Sequence, residues 1–102
     1  MREFVCAASV HDVAPGEVRA VRVRNQVLAL VNTGANWYAV DNSCPHIGGP
    51  LASGYLDGTV LMCPLHGWRF DVTTGAGVMP EGASIGCFPV KVEGDDVLVA
   101  VG

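Results

Sequence analysis

The sequence predicts an all-β domain, and three observations carry this prediction. Runs of alternating apolar and β-branched residues recur between Gly, Pro and Asn residues, as is typical of short strands joined by turns. No stretch sustains the periodicity of an amphipathic helix. The chain has 102 residues, enough for one compact domain with little room for a second. We therefore expect a single domain that spans residues 1–102.

The strand pattern predicts eight strands along the chain. In order, they are residues 2–8, 17–24, 27–31, 37–40, 60–62, 69–72, 88–92 and 97–101. Three polar segments separate neighbouring strands and predict turns: Asn25-Gln26, residues 32–36 and residues 93–96. Because short turns join consecutive strands side by side, the expected arrangement is a meander of antiparallel strands.

The residue pattern changes in the segment between Asp41 and Trp68. Cys, His, Pro and Gly residues concentrate there in two loops, on either side of a short predicted hairpin over residues 55–62 that turns at Asp57-Gly58. This change in composition indicates a binding site inserted into a β scaffold. We place the binding segment at about residues 41–72.

Composition and charge exclude several classes of function. The formal net charge of −4 argues against nucleic-acid binding, which needs clustered Lys and Arg. The uncharged runs are too short to cross a membrane, and the N-terminus MREFVCAASV lacks the long apolar region of a signal peptide. We expect a cytoplasmic protein with neither a nucleic-acid nor a membrane partner. In that compartment, four cysteines favour metal binding or catalysis over disulfides.

Two short motifs each combine a cysteine with a histidine. They are Cys44-Pro45-His46 and Cys63-Pro64-Leu65-His66, separated by the sixteen residues 47–62. Such close spacing lets a thiolate and an imidazole from one loop reach the same metal centre, and the intervening hairpin can bring the two loops together. Gly48, Gly49 and Gly67 beside the motifs permit a positive φ and a close approach of backbone amides to an anionic cofactor.

The motifs and their surroundings, CPHIGGPL and CPLHGWRFDVTTG, closely resemble the Rieske family. In that family a [2Fe–2S] cluster has one iron bound by two Cys and the other by two His. The resemblance implies that Cys44 and Cys63 bind one iron, and that His46 and His66 bind the other. It also implies the Rieske fold, an antiparallel β sandwich of small sheets with the cluster held by two loops at its tip.

The remaining candidates for metal binding are weaker. A tetrahedral zinc site is the alternative for the four motif residues, although zinc fingers favour paired C-x-x-C and H-x-x-x-H spacing. Cys6 and Cys87 have no histidine at ligand spacing, and we expect both to be buried free thiols. We expect His11, beside Asp12 in a predicted turn, to be solvated.

Departures from the family's subgroups narrow the function that the resemblance implies. Respiratory members have a loop disulfide, where this chain has Gly49 and Leu65, and hydroxyl groups near the cluster, where it has Trp68 and Phe70. Terminal oxygenase subunits need a second iron site, for which His11 is the one histidine left over. The resemblance therefore implies an electron carrier rather than an enzyme. Hydrogen-bond donors to the cluster sulfurs raise the reduction potential, and Trp68 and Phe70 offer no hydroxyl donors. We therefore expect the reduction potential of this protein to be low.

Two kinds of carrier remain. The GYLDG and FPVKVEGDDVLV segments resemble ferredoxin components of ring-hydroxylating dioxygenases, which carry electrons from a flavin-dependent NAD(P)H reductase to a terminal oxygenase. The CPLH tetrapeptide and the Gly-rich residues 75–86 resemble small subunits of nitrite reductases, whose partner is a sirohaem-containing large subunit. We favour the dioxygenase ferredoxin. An iron–sulfur redox sensor is the third alternative.

Apolar residues in the two loops predict a docking collar for the partner around the point where the electron leaves. Its members are Pro45, Ile47, Pro64, Leu65 and Trp68. Acidic residues such as Asp57 and Glu81 would then steer a basic partner. The alternative is that Ile47 and Leu65 only pack the two loops together.

Overall fold

The computed structural model describes residues 3–45, 50–65 and 67–101. This part of the chain forms eleven strands and one short 3-10 helix, Leu51–Ser53, with no α-helix, which confirms the all-β prediction. The strands are β1 (Glu3–Ser9), β2 (Glu17–Val23), β3 (Gln26–Asn32), β4 (Trp37–Asp41), β5 (Tyr55–Asp57), β6 (Val60–Met62), β7 (Arg69–Asp71), β8 (Gly77–Met79), β9 (Cys87–Phe88), β10 (Val90–Glu93) and β11 (Asp96–Val101). Among the described residues, no helix is long and apolar enough to cross a membrane.

The strands form three antiparallel sheets. The first sheet has the order β1-β11-β10, the central sheet β2-β3-β4-β9, and the third sheet β5-β6-β7-β8. Consecutive strands pair as neighbours from β2 to β4 and from β5 to β8, as a meander requires. The predicted hairpin over residues 55–62 is present, but its two-residue loop lies at Gly58-Thr59, one residue after the predicted turn at Asp57-Gly58.

Both faces of the central sheet are covered by the other two sheets. One core lies between the central and first sheets and includes Leu28, Leu30, Ala39, Val97 and Val99. The other core lies between the central and third sheets and includes Ala29, Val31, Val40, Leu61 and Phe70. Successive residues of β3 therefore enter opposite cores, and a strand buried on both faces reads as a continuous apolar run. The sequence VLALV in β3 fits this position.

The first predicted turn is wrong by one residue. Its loop consists of Arg24 and Asn25, and Gln26 already pairs with Val23 as the first residue of β3. Arg24 adopts the left-handed conformation, with φ of 57°. With the predicted loop at Asn25-Gln26, Val23 would pair with Leu28, two residues further along β3 than its observed partner Gln26. Because side chains alternate along a strand, this difference changes the pairing but leaves the same residues facing each core.

The strand predicted at residues 88–92 is in fact two strands in different sheets. β9 pairs with β4 in the central sheet, whereas β10 pairs with β11 in the first sheet. Pro89 lies between them and has no N–H to donate to a ladder, so pairing is interrupted there. Its carbonyl oxygen accepts a hydrogen bond from the Ala100 N–H at 2.9 Å. The chain thus crosses between sheets at a proline.

The Gly-rich residues 75–86 contain strand β8, which the sequence did not predict. β8 pairs with β7 through a register shift beside Arg69. Gly75 has φ of +81°, and a side chain there would lie 2.2 Å from the Ile85 carbonyl oxygen. Glycine is therefore required for the loop to fold back on itself. The third sheet continues to Met79, beyond the expected end of the binding segment.

Candidate metal centre

The first loop leaves the central sheet at the end of β4 and carries Cys44. Asp41 links it to the Gly-rich loop, since its backbone N–H donates to the Gly86 oxygen at 3.0 Å and its carboxylate accepts from the Gly86 N–H at 2.6 Å. A single β-bridge joins Ser43 to Pro50 across the loop. Cys44 itself is only 1% exposed. This loop therefore delivers a thiol into the protein interior.

The second loop connects β6 to β7 and carries Cys63. Its ends are joined by a hydrogen bond from the Cys63 N–H to the Trp68 oxygen at 2.7 Å. The Gly67 N–H donates to the Cys63 oxygen at 3.2 Å, and Gly67 has φ of +72°, the positive value that the sequence predicted for it. This N–H is thus engaged within the loop. Cys63 is 1% exposed, and Leu65 projects from the loop with 56% exposure.

The two buried cysteines lie in one apolar cluster. Cys44 and Cys63 belong to the same core as Leu51, Leu61 and Phe70, although they come from different loops. Cys44 and Cys63 form no disulfide with each other. The donor set fits an iron–sulfur cluster, because thiolates are the protein ligands that such clusters use. The hairpin β5–β6 lies between the two loops in the chain, as predicted.

The other two predicted ligands, His46 and His66, lie outside the described residues, as do Ile47, Gly48 and Gly49. Within residues 3–45, 50–65 and 67–101, no group of three or more His, Cys, Asp or Glu side chains could hold a metal ion. The two described cysteines are therefore the part of the predicted ligand set that the structure locates. Their assignment as ligands remains a prediction.

Aromatic side chains stand beside the thiols. Phe70 is fully buried in the apolar core that contains Cys44 and Cys63, and the half-buried Trp68 packs against the same core. The two ring centroids are 6.5 Å apart with an interplanar angle of 46°. An apolar wall of this kind excludes water and lowers the local dielectric.

The collar residues within the described ranges differ in exposure. Leu65 and Pro45 are exposed, whereas Pro64 and Trp68 are half-buried. Asp57 and Glu81 are both exposed, as expected for an acidic periphery. Leu65 is therefore a large apolar side chain of the collar that is available to a partner.

Asp41 and Asn42, at the base of the first loop, lie within the predicted binding segment but were not predicted as site residues. Asn42 accepts two hydrogen bonds from the 3-10 helix, one from the Leu51 N–H at 2.7 Å and one from the Ala52 N–H at 2.8 Å. Asn and Asp commonly bond to nearby backbone where a strand ends. The Asp-Asn pair before Cys44 was a signal of this kind.

The two remaining cysteines stand apart from the candidate centre. Cys6 is exposed on β1, which corrects the prediction that it is buried. Its side chain alternates to the outer face of the first sheet, opposite Leu98. Cys87 is half-buried, and its thiol donates to the Val72 oxygen at 3.5 Å. His11 is exposed, as predicted, with Asp95 at 3.8 Å.

The surroundings of Cys87 keep its thiol protonated. Burial raises the pKa of the thiol, the nearby Asp71 carboxylate raises it further, and a hydrogen bond with the Phe88 backbone lowers it. Because the thiolate is the metal ligand, a raised pKa disfavours metal binding at this position.

We therefore expect Cys87→Ser and Cys6→Ser to leave the visible spectrum of the iron–sulfur protein unchanged. A serine hydroxyl can still donate to the Val72 oxygen, and Cys6 has only a weak contact with the Ala8 oxygen at 3.9 Å. Iron and acid-labile sulfide analysis of both variants, alongside visible absorption, provides the measurement. Loss of colour in either variant would show that a ligand has been misassigned.

A family model described as the Rieske [2Fe–2S] domain matches residues 3–89. The chain belongs to the Rieske family. Its cofactor is accordingly a Rieske-type [2Fe–2S] cluster. The β sandwich agrees with this membership, since two loops from different parts of the chain each bring a cysteine into the same apolar core.

This Rieske protein is similar to known ferredoxins over almost its whole length. The ferredoxin component of a naphthalene 1,2-dioxygenase system from Pseudomonas aeruginosa is 36% identical, and the match covers 95% of this chain and 94% of that protein. Ferredoxin CarAc from Metapseudomonas resinovorans is 42% identical, with 94% and 90% covered. A chain in the complex of reduced oxygenase and oxidized ferredoxin in carbazole 1,9a-dioxygenase has 36% identity and a TM-score of 0.86, with 95% and 92% covered.

Nitrite reductase small subunits share the fold. A putative NADH-dependent nitrite reductase small subunit from Mycobacterium tuberculosis has a TM-score of 0.90 at 19% identity, with 100% of this chain and 97% of that chain covered. Identity at this level shows a common fold alone. Sequence similarity therefore separates the two carrier types more clearly than shape does.

Proposed function

We propose that this Rieske protein is the ferredoxin component of a ring-hydroxylating oxygenase system. It accepts single electrons from a flavin-dependent NAD(P)H reductase and passes them to a terminal oxygenase. The observation that carries the proposal is the match with ferredoxin components of naphthalene 1,2-dioxygenase systems, at 36 to 37% identity over 95% of this chain and 94% of those proteins. Those relatives are named as ferredoxin components, and this chain matches them over nearly their whole length. The proposed role is therefore to carry electrons and not to catalyse the oxygenation.

Within this function, we propose Cys44, His46, Cys63 and His66 as the ligands of the cluster. The bound [2Fe–2S] cluster supplies reversible one-electron chemistry. The chain holds two thiols for it in an apolar core, where Phe70 and Trp68 exclude water from one side. The exposed tip of the second loop, at Leu65, precedes the proposed ligand His66 directly in the chain. A partner that contacts this tip would approach the histidine-bound iron.

The proposed role is tested by anaerobic stopped-flow mixing. The oxidised protein is mixed first with a dioxygenase-type flavin reductase and NADH, and then with a terminal oxygenase, while visible absorption is followed. We expect rapid reduction by one electron per cluster and rapid reoxidation by the oxygenase. Failure of the flavin reductase to reduce the protein would contradict the proposal. Reoxidation by a sirohaem nitrite reductase but not by the oxygenase would favour the other carrier type, and slow reoxidation by both would favour a sensor.

Replacement of Leu65 should weaken docking without disturbing the cluster. Leu65 is 56% exposed at the tip of the second loop, and removal of an anchor side chain of this size costs about 1 to 2 kcal/mol in a protein interface. We expect Leu65→Ser to lower the second-order rate constant of oxygenase reduction by roughly tenfold, while its visible spectrum and midpoint potential stay as in the wild type.

Val92→Ser is the matched control for Leu65→Ser. Val92 is an apolar residue of similar exposure, 44%, but it lies on β10 in the first sheet. We expect the control to reduce the oxygenase at the wild-type rate. Equal rates for both variants would support the alternative that Leu65 serves only to pack the loops.

A further inference from the structure

The 3-10 helix after the first loop begins without a cap from its own neighbourhood. Its N-cap residue is Pro50, whose side chain makes no capping hydrogen bond. The first N–H groups of a helix have no partner within the helix and need acceptors from elsewhere. Asn42, ten residues before Ala52, provides two: its backbone oxygen accepts from Leu51 at 2.7 Å, and its side-chain oxygen accepts from Ala52 at 2.8 Å.

These two hydrogen bonds close the first loop at its base. The chain leaves Asn42, continues through the bridge between Ser43 and Pro50, and returns to Asn42 at the helix. Leu51 is fully buried beside Cys44 in the same core, so the helix is anchored on the apolar side as well. The enclosed residues include Cys44 and His46. Asn42 therefore stands at the point where both ends of the ligand-bearing loop meet.

We propose that Asn42 is a positioning residue for the [2Fe–2S] centre. Its side-chain oxygen holds the loop closed, which fixes the direction in which Cys44 enters the core and limits movement of the loop when the cluster changes charge. This role rests on the proposed assignment of Cys44 as a ligand. Without that oxygen, the half-buried Ala52 N–H lacks an acceptor, and opening of the loop to water relieves the loss.

The test compares three variants as purified iron–sulfur proteins. Asn42→Ala removes the acceptor, Asn42→Asp retains an oxygen at the same position, and Asn32→Ala is the matched control. Asn32 is likewise an asparagine with two hydrogen bonds, to Val13 and Gly34, each of 2.9 Å, although it is buried whereas Asn42 is half-buried. It lies beside Trp37 at the opposite end of β4 from the loop. The control removes a comparable side chain away from the proposed ligands.

Two measurements separate positioning from general stability. The first is the rate of cluster loss in the presence of an iron chelator, relative to the rate of global unfolding. The second is the set of g values in the electron paramagnetic resonance spectrum of the reduced protein. We expect Asn42→Ala to lose its cluster about threefold to tenfold faster at an unchanged unfolding rate, as loss of one hydrogen bond implies, and to show shifted g values. Asn42→Asp should restore both.

Asn32→Ala should accelerate unfolding and cluster loss in the same proportion and leave the g values unchanged. Wild-type g values and wild-type cluster retention in Asn42→Ala would overturn the proposal, as would acceleration only in proportion to unfolding. If Asn42→Ala does not fold, Asn42→Gln replaces it. That variant keeps the amide but displaces its oxygen by one methylene, and the same acceleration is expected. A wild-type protein without a cluster would instead refute the ligand assignment, and the role of Asn42 with it.

Discussion

Replacement of Cys63 by serine is expected to give a colourless protein that retains neither iron nor sulfide. Cys63 is 1% exposed and shares its apolar cluster with Cys44, so the proposed iron receives two thiolates from two loops. A serine hydroxyl is a far poorer iron ligand than a thiolate, and three ligands do not retain a cluster in this arrangement. The wild type should contain two iron and two sulfide per chain, as a [2Fe–2S] domain requires. Metal and sulfide analysis with visible absorption measures both.

The same result is expected for Cys44→Ser, and Cys87→Ser provides the control. Circular dichroism separates loss of the cluster from loss of the fold. The sheets have extensive cores of their own, so the cluster-free variant should retain β structure with a lower thermal midpoint. A Cys63→Ser protein with the iron, sulfide and colour of the wild type would refute the ligand assignment. One zinc and no sulfide in the wild type would establish the alternative metal.

Individual strands and turns could be predicted where an apolar run is followed directly by turn residues or by a motif. The strand predicted at residues 60–62 agrees with β6, and the strand at 37–40 agrees with β4 to within one residue. In both places an apolar run ends at residues that favour turns or at the start of a motif. The hairpin of β10 and β11 turns at Gly94-Asp95, within the predicted segment 93–96, and Gly94 has φ of +60°. Such elements depend on neighbouring residues alone.

Non-local pairing could not be predicted in this way. β1 pairs with β11, and Glu3 lies opposite Val101 across almost the full length of the chain. No local pattern encodes that contact, because it depends on the closure of the first sheet over the core. Strand β8 escaped prediction for a related reason, since Gly77 and its neighbours lack the β-branched run of an independent strand. Pairing with β7 stabilises β8 in place of intrinsic propensity.

The candidate site shows the same division. Cys44 and Cys63 could be proposed as ligands from the sequence alone, because both motifs have a cysteine and a histidine at metal-ligand spacing. Asn42 could not be assigned a role, because its partners at Leu51 and Ala52 approach it only when the loop closes. The exposure of Cys6 was also missed, since the alternation of β1 sends that side chain outward. The candidate ligands can therefore be proposed from local sequence, whereas the contacts that support their loops depend on the fold.

The reduction potential should lie at the low end of the Rieske range, at about −150 mV rather than near about +300 mV. Hydrogen bonds to the cluster sulfurs stabilise the added electron and raise the potential. Phe70 is fully buried in the apolar core that contains Cys44 and Cys63, and Trp68 packs against that core. Because these side chains have no hydroxyl group, neither position supplies a hydroxyl donor to the site. Protein-film voltammetry at pH 7 gives the midpoint. A value above roughly +100 mV, in the upper part of that range, would contradict the prediction.

Introduction of hydroxyl groups at these two positions should raise the potential. We expect Trp68→Ser combined with Phe70→Tyr to shift the midpoint upward by about 60 mV for each hydroxyl that reaches a sulfur, the one-electron equivalent of about 1.4 kcal/mol. Trp68→Phe is the control, because it removes the indole without adding a donor and should shift the midpoint by less. Since Phe70 has no exposed surface, the new hydroxyl must find its partner inside the core, where an unpaired hydroxyl would be costly. An unchanged midpoint in a folded double variant with a full cluster would mean that net charge or solvent access sets the potential instead.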